Sequence, residues 1–263
     1  MGIVNVTPDS FSGDGLAGST ESAMAWGKSL AEAGVDILDI GGESTRPGAE
    51  PVSVDDEIRR TEPVIRGLAG IGVPLSIDTQ KAPVAEAALE AGAHLINDVS
   101  ALTTDPGMAA LAARTGAAVC LMHMRGNPAT MQNRPEYDDV VAEVAAYLLE
   151  RKRAAIGAGI APERVLVDPG IGFGKTVDHN LDLINHTDRL RSICGAPVLV
   201  GSSRKSFIGK VLDRPVEERV FGTGATVAAA IARGADVVRV HDVPAMLDMA
   251  RMTDAILRRP RKE

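Results

Sequence analysis

Short, nearly continuous runs of Val, Ile and Leu recur along the chain. Each closes on a cluster of polar residues and is followed by a longer segment with apolar positions at helical spacing. The apolar runs fall near 2–6, 35–41, 74–78, 94–99, 117–122, 165–168, 197–202 and 236–240. Strands buried on both faces have this composition. The segments between them, such as 136–156 and 217–233, are rich in Ala, Leu, Glu and Arg. Gly34, Gly92, Gly116, Gly157 and Gly234 stand where helices would end. Alternating strand and helix requires parallel strands with right-handed crossovers, which admits a closed barrel or an open doubly wound sheet. Eight regular units favour the barrel, as do polar residues at every strand end, since an open sheet gathers its ligand groups at one switch point. The predicted architecture is α/β: a single-domain (β/α)8 barrel over 1–263, with its active site at the C-terminal ends of the strands and a frayed basic tail near 258–263.

The polar endings read NVTPDSF at 5–11, DIGGESTRPG at 39–48, SIDT at 76–79, NDVS at 97–100, MHMRGNP at 122–128, DPGIGFGK at 168–175, GSSRKSF at 201–207 and RVHD at 239–242. In a barrel they converge on one pocket. Asp78 and Asp168 each end an apolar strand, where a carboxylate is costly to bury without a partner. A helix cap or a neighbouring Lys or Arg could satisfy either one; two in the same ring, with Asn97 beside them, point to a ligand. Carboxylate and amide together suit a heterocycle with a guanidine-like edge. The strand, Gly/Ser turn and helix of 198–207 offer exposed N–H groups to an anion, with Lys205 and Ser206 as further donors. No Walker sequence is present, and the GIGFGK stretch reads as a tight turn rather than a phosphate cradle. Arg239 and His241, two apart on the last strand, face one way and could share an oxyanion, or pair with nearby acids. His123 reads as a packed, hydrogen-bonded histidine rather than a base.

Composition narrows the classes. The 263 residues are 45% hydrophobic and 24% charged, with a formal net charge of -7. An acidic chain has no general attraction to nucleic acid or anionic membrane, so an anionic ligand needs local cations such as Arg204, Lys205, Arg239 and His241. Cys120 and Cys194 lack metal-ligand spacing and read as buried thiols; no cluster of His, Cys and acids has zinc spacing. No apolar span reaches membrane length, and a cytoplasmic protein is expected.

These motifs resemble those of the dihydropteroate synthase family along essentially the whole chain. The shared residues are 1–11, Gly41-Gly42-Glu43-Ser44-Thr45-Arg46-Pro47-Gly48, Ser76-Ile77-Asp78-Thr79, Ile96-Asn97-Asp98, the 168–175 run, Ser203-Arg204-Lys205-Ser206 and Arg239-Val240-His241. The resemblance implies a (β/α)8 transferase that joins 6-hydroxymethyl-7,8-dihydropterin diphosphate to 4-aminobenzoate with Mg²⁺. It implies a pterin site of Asp78, Asn97, Met122, Asp168, Phe173 and Lys205, with Asp78 and Lys205 catalytic. It implies a diphosphate site of Asn5, Arg239 and His241 with Mg²⁺ on Asn5, and an aminobenzoate site of Thr45, Arg46, Pro47, Lys205 and Ser206. A homodimer through outer helices is also implied, and the stripe Met246, Met249, Ala250, Met252 and Ile256 could serve it. A pterin-binding methyltransferase on the same barrel and a non-catalytic pterin-binding homologue are the alternatives. The cation set and the Thr-Arg-Pro loop argue against the first, the intact motifs against the second. In two places the chain departs from the family. Met1 stands almost at the first strand, so the barrel floor is expected to be covered differently, and the Ser12-Gly13-Asp14-Gly15 loop is one residue longer than usual.

Overall fold

Among the residues described by the structure, a computed structural model covering 1–7, 20–44, 50–126 and 135–258, every predicted apolar run contains a strand. The expectations for the first loop, for Thr45, Arg46 and Pro47, and for the tail beyond 258 lie outside the described residues. The strands are β1 Gly2–Asn5, β2 Leu38–Gly41, β3 Leu75–Asp78, β4 Leu95–Asp98, β5 Ala118–Met122, β6 Val165–Asp168, β7 Leu199–Val200 and β8 Val237–Val238. β1 to β6 pair in sequence order, all parallel, and β7 pairs with β8. Single parallel bridges, Val167 to Val198 and Gly2 to Val240, join the two parts at both seams. There Val167 N donates to Pro197 O at 3.0 Å and Ile3 N to Val240 O at 3.1 Å. The ring therefore closes as a (β/α)8 barrel, and closure removes the unpaired edges an open sheet would expose.

The helices are α1 Thr20–Ala33, α2 Val54–Leu68, α3 Ala82–Ala91, α4 Gly107–Thr115, α5 Val140–Gly157, α6 Val177–Asn185, α7 Thr187–Cys194, α8 Ser206–Leu212, α9 Val220–Ala232 and α10 Val243–Leu257. Local chemistry sets their ends. Asp139 accepts from Ala142 N at 2.9 Å, so α5 starts at Val140 and not at 136. The helix expected over 217–233 divides into a 3-10 turn, Val216–Glu218, and α9. Gly92 and Gly116 end α3 and α4 in the left-handed conformation, but Gly157 is still helical and Gly159, with φ 101°, takes that role.

Strand periodicity then sorts the side chains. Outward positions such as Val4, Leu38, Ile40, Leu75, Ile77, Ile96, Val119, Leu121 and Val165 are buried aliphatics packed with the helices. Burying each one fully contributes roughly 2 kcal/mol. The inward series is apolar at the floor, where Met1, Leu95, Cys120 and Leu199 form a small cluster, and turns polar toward the C-terminal ends of the strands. Cys120 and Cys194 are both buried and free.

Candidate active site

The register aligns Asn5, Gly41, Asp78, Asn97 and Cys120 across five strands, and Met122 with Asp168 on the next pair. Residues in register share a face, so Asn5, Asp78, Asn97, Met122 and Asp168 all face into the barrel mouth. Asp98, one residue on from Asn97, faces the other way. It is fully buried and accepts from Ser100 N at 2.7 Å and Leu102 N at 2.9 Å, a structural duty that its place in the Ile96-Asn97-Asp98 motif did not disclose.

Arg239 connects the carboxylates of this ring. Its Nε donates to Asp39 Oδ2 at 2.6 Å and its Nη2 to Asp78 Oδ2 at 2.7 Å. Asn97 Nδ2 donates to the same Asp39 oxygen at 3.1 Å. The pairing with acids is thus realised for Arg239, and a guanidinium with about five N–H donors still has others to offer an oxyanion. Sequence reasoning passed over Asp39 as a site residue. Its signal was an acid between Leu38 and Ile40 in a buried strand, which only a cation inside the barrel could explain. Asp39 is fully buried, and its Oδ1 has no hydrogen-bond partner.

Burial raises the Asp78 carboxyl to about 7 against the pull of Arg239, and it also pushes Asp168 up against Lys205. Asp168 Oδ1 accepts from Gly170 N at 2.7 Å, which fixes the start of the following loop. That loop is a tight turn, as its glycines indicated. Gly170 has φ 66°, and a Cβ there would meet His123 O at 1.9 Å; at Gly174, φ 67°, it would meet Arg125 Cβ at 2.9 Å.

Lys205, the residue before α8, reaches back over this turn. Its Nζ donates to Ile171 O and lies 4.6 Å from the Phe173 ring centroid. Burial lowers its pKa to about 8, opposed by Asp168. Ser206 is exposed at the first position of α8. Arg204, at φ 57°, turns away from the mouth toward Asp242, to which its Nε donates at 2.8 Å. His241 Nδ1 lies 3.1 Å from Ser203 Oγ, a contact between the loops after β8 and β7 that orients the imidazole.

Lys175 is buried beneath the turn. Its Nζ lies 2.9 Å from His123 Nδ1 and donates to Phe173 O at 2.9 Å. Burial lowers Lys175 to about 7 and His123 to about 3, so His123 is a neutral, packed histidine as its sequence context implied. Two clefts of about 390 and 380 Å³ lie elsewhere, between α3 and α4 on the outer surface, and include no residue of the ring.

The arrangement can grip a flat heterocycle by acids and amide, with an aromatic ring and a lysine beside it and a guanidinium and imidazole for an anion. The family description of pterin binding enzymes matches residues 1–241. The dihydropteroate synthase of Synechocystis is 49% identical over 260 residues, covering 98% of this chain and 90% of that protein. A crystal structure of Xanthomonas albilineans dihydropteroate synthase with 4-aminobenzoic acid superposes with a TM-score of 0.92 at 50% identity, covering 99% of this chain and 93% of that one. The Xanthomonas enzyme in complex with 7,8-dihydropteroate gives a TM-score of 0.89 at 47% identity, covering 99% and 94%. Sequence and fold agree over nearly the full length with enzymes that hold such ligands, and the chain belongs to the dihydropteroate synthase family of pterin-binding enzymes.

Proposed function

We propose that the chain condenses 6-hydroxymethyl-7,8-dihydropterin diphosphate with 4-aminobenzoate, giving 7,8-dihydropteroate and pyrophosphate in folate biosynthesis. The observation that carries this is the inward ring of Asp78, Asn97, Asp168, Lys205 and Arg239 at the barrel mouth, in a chain so similar to a synthase with 7,8-dihydropteroate bound.

In this reading Asp78, Asn97 and Asp168 take the hydrogen-bonding edge of the pterin, and Met122, Phe173 and the Lys205 stem pack near it. The diphosphate lies toward Asn5, Arg239 and His241. The aminobenzoate site is formed by Thr45, Arg46 and Pro47 with Lys205 and Ser206. The bond between the pterin methylene carbon and the diphosphate oxygen breaks, and its electron pair leaves with pyrophosphate. The arylamine nitrogen then attacks the methylene carbon and loses a proton to solvent. Asp78 and Lys205 are the catalytic residues. Asp78 stabilises the positive charge that grows on the ring, more in the transition state than in the bound substrate, and Arg239 and His241 stabilise the departing anion.

Asn5 offers one neutral amide oxygen at the end of β1, and among the described residues no group of three His, Cys, Asp or Glu side chains forms a cation cage. Such a donor set fits Mg²⁺ held mainly by diphosphate oxygens and water. When bound, the ion would neutralise charge on the leaving group.

A homodimer through the outer helices accords with exposed apolar side chains on α9 and α10. Met246 is buried, and Met249 and Ala250 pack against the core, whereas Met252, Ile256 and Phe221 are 62%, 68% and 85% exposed. Cytoplasmic placement accords with two buried free thiols and with the lack, among the described residues, of a helix long and apolar enough to cross a membrane. Mass-spectrometric detection of 7,8-dihydropteroate from the two substrates tests the reading; folded protein that forms none contradicts it.

A further inference from the structure

One ionic cluster lies outside the ring and takes no part in the chemistry above. Lys81 follows β3 and occupies the N-cap position of α3. Its Nζ donates to Glu57 Oε2 at 2.7 Å, to Val52 O at 2.6 Å and to Glu43 Oε2 at 2.5 Å. An ammonium has about three donors, so this set commits all of them. The partners come from three different places. Glu43 follows β2, Val52 precedes α2, and Glu57 lies in the first turn of α2. Glu43 and Val52 are also joined directly, Val52 N donating to Glu43 Oε1 at 3.4 Å, and Arg60 Nη1 donates to Gly42 O at 2.9 Å. These contacts fix the chain on both sides of positions 45–49.

Glu57 makes the cluster more than a surface ion pair. Its side chain is fully buried, and its Oε1 has no hydrogen-bond partner. A buried carboxylate served at one oxygen is costly for stability alone, where an apolar side chain of similar volume serves as well or better. What the carboxylate supplies is a fixed anchor inside α2 for a cation that holds two chain segments at once.

We propose that Lys81 is a positioning residue for the arylamine. Its ammonium ties Glu43 and Val52, which flank positions 45–49, to the buried Glu57, and so supports the 4-aminobenzoate binding proposed for Thr45, Arg46 and Pro47. Ordering the flanks in advance removes part of the entropy cost that binding would otherwise carry. The inference rests on the aminobenzoate role proposed above for those three residues.

Steady-state kinetics with both substrates varied tests it on wild type, Glu43→Ala, Lys81→Arg and the double variant Lys81→Met/Glu57→Gln. Glu43→Ala cuts one arm and leaves the Lys81–Glu57 pair intact, and the double variant removes the cation without stranding a buried charge. In both, the KM for 4-aminobenzoate should rise roughly tenfold while the KM for the pterin diphosphate and kcat stay within about twofold, the pattern of lost binding for one substrate. Lys81→Arg should recover most of the loss. An unchanged arylamine KM in folded Glu43→Ala, or an equal rise in both KM values, overturns the inference while the function stands. Wild type that makes no dihydropteroate overturns the function and the inference together.

Discussion

Replacing Asp78 with Asn perturbs the ring at the group proposed to lie against the reacting pterin, and the charge balance of the ring sets the scale of the effect. With both carboxylates ionised, Asp39 and Asp78 carry two negative charges against one positive on Arg239, which leaves one net negative charge within a hydrogen-bonded trio. The Asp78→Asn substitution keeps the shape and brings that net charge to zero. One elementary charge about 5 Å from the developing cation, at an effective dielectric of about 20, is worth roughly 3 kcal/mol. That converts to about a 10²-fold loss in kcat. Affinity for the pterin diphosphate should change less, because the bound ring carries no full positive charge. Since burial raises the Asp78 carboxyl to about 7, the comparison belongs at a pH of about 8, where the carboxylate form predominates. Turnover with both substrates varied, alongside a circular dichroism melt, measures it. A folded variant that loses less than about threefold in kcat would refute the electrostatic role of Asp78.

Lys205→Ala should lose most activity while the melting temperature moves little, since the ammonium bonds a single loop carbonyl and its burial is costly to the folded state; near-normal turnover would remove it from the site. Lys175→Met tests the burial of an amine through pH. The folded pKa of Lys175 is about 7 against an ordinary 10.5, so between those values the unfolded chain holds the extra proton and this group's contribution to stability rises with pH. The melting temperature of wild type relative to Lys175→Met should therefore climb between about pH 7 and about pH 9, and parallel pH curves for the two proteins would contradict it.

The strands were legible because most outward positions are aliphatic and the inward ones turn polar toward the C-terminal ends, although not on one level, since Asp39 and Ser76 lie in register with apolar Ile3 and Leu95. Asp78, Asn97 and Asp168 were visible as polar groups ending apolar runs. Their distribution between faces was less so. Asn97 and Asp98 are adjacent, yet one faces the pocket and the other caps a turn beneath the helices, a distinction made only by register. The Asp39–Arg239 bond joins residues 200 apart and depends on barrel closure, which no local pattern encodes. Lys81 reads in sequence as an ordinary residue ahead of a helix, because its three partners lie 24 to 38 positions away. Gly157 misled because it is followed at once by Ala158 and Gly159, and two glycines so close cannot both end the helix.

Pyrophosphate release followed before the steady state, with and without 4-aminobenzoate, tests most directly whether the ring stabilises a cation formed ahead of attack. Wild type should release pyrophosphate slowly without the arylamine, as water captures the methylene carbon, and Asp78→Asn should lose that release in proportion to its kcat. If wild type releases none until 4-aminobenzoate arrives, the arylamine displaces pyrophosphate directly and the charge-stabilising account is contradicted.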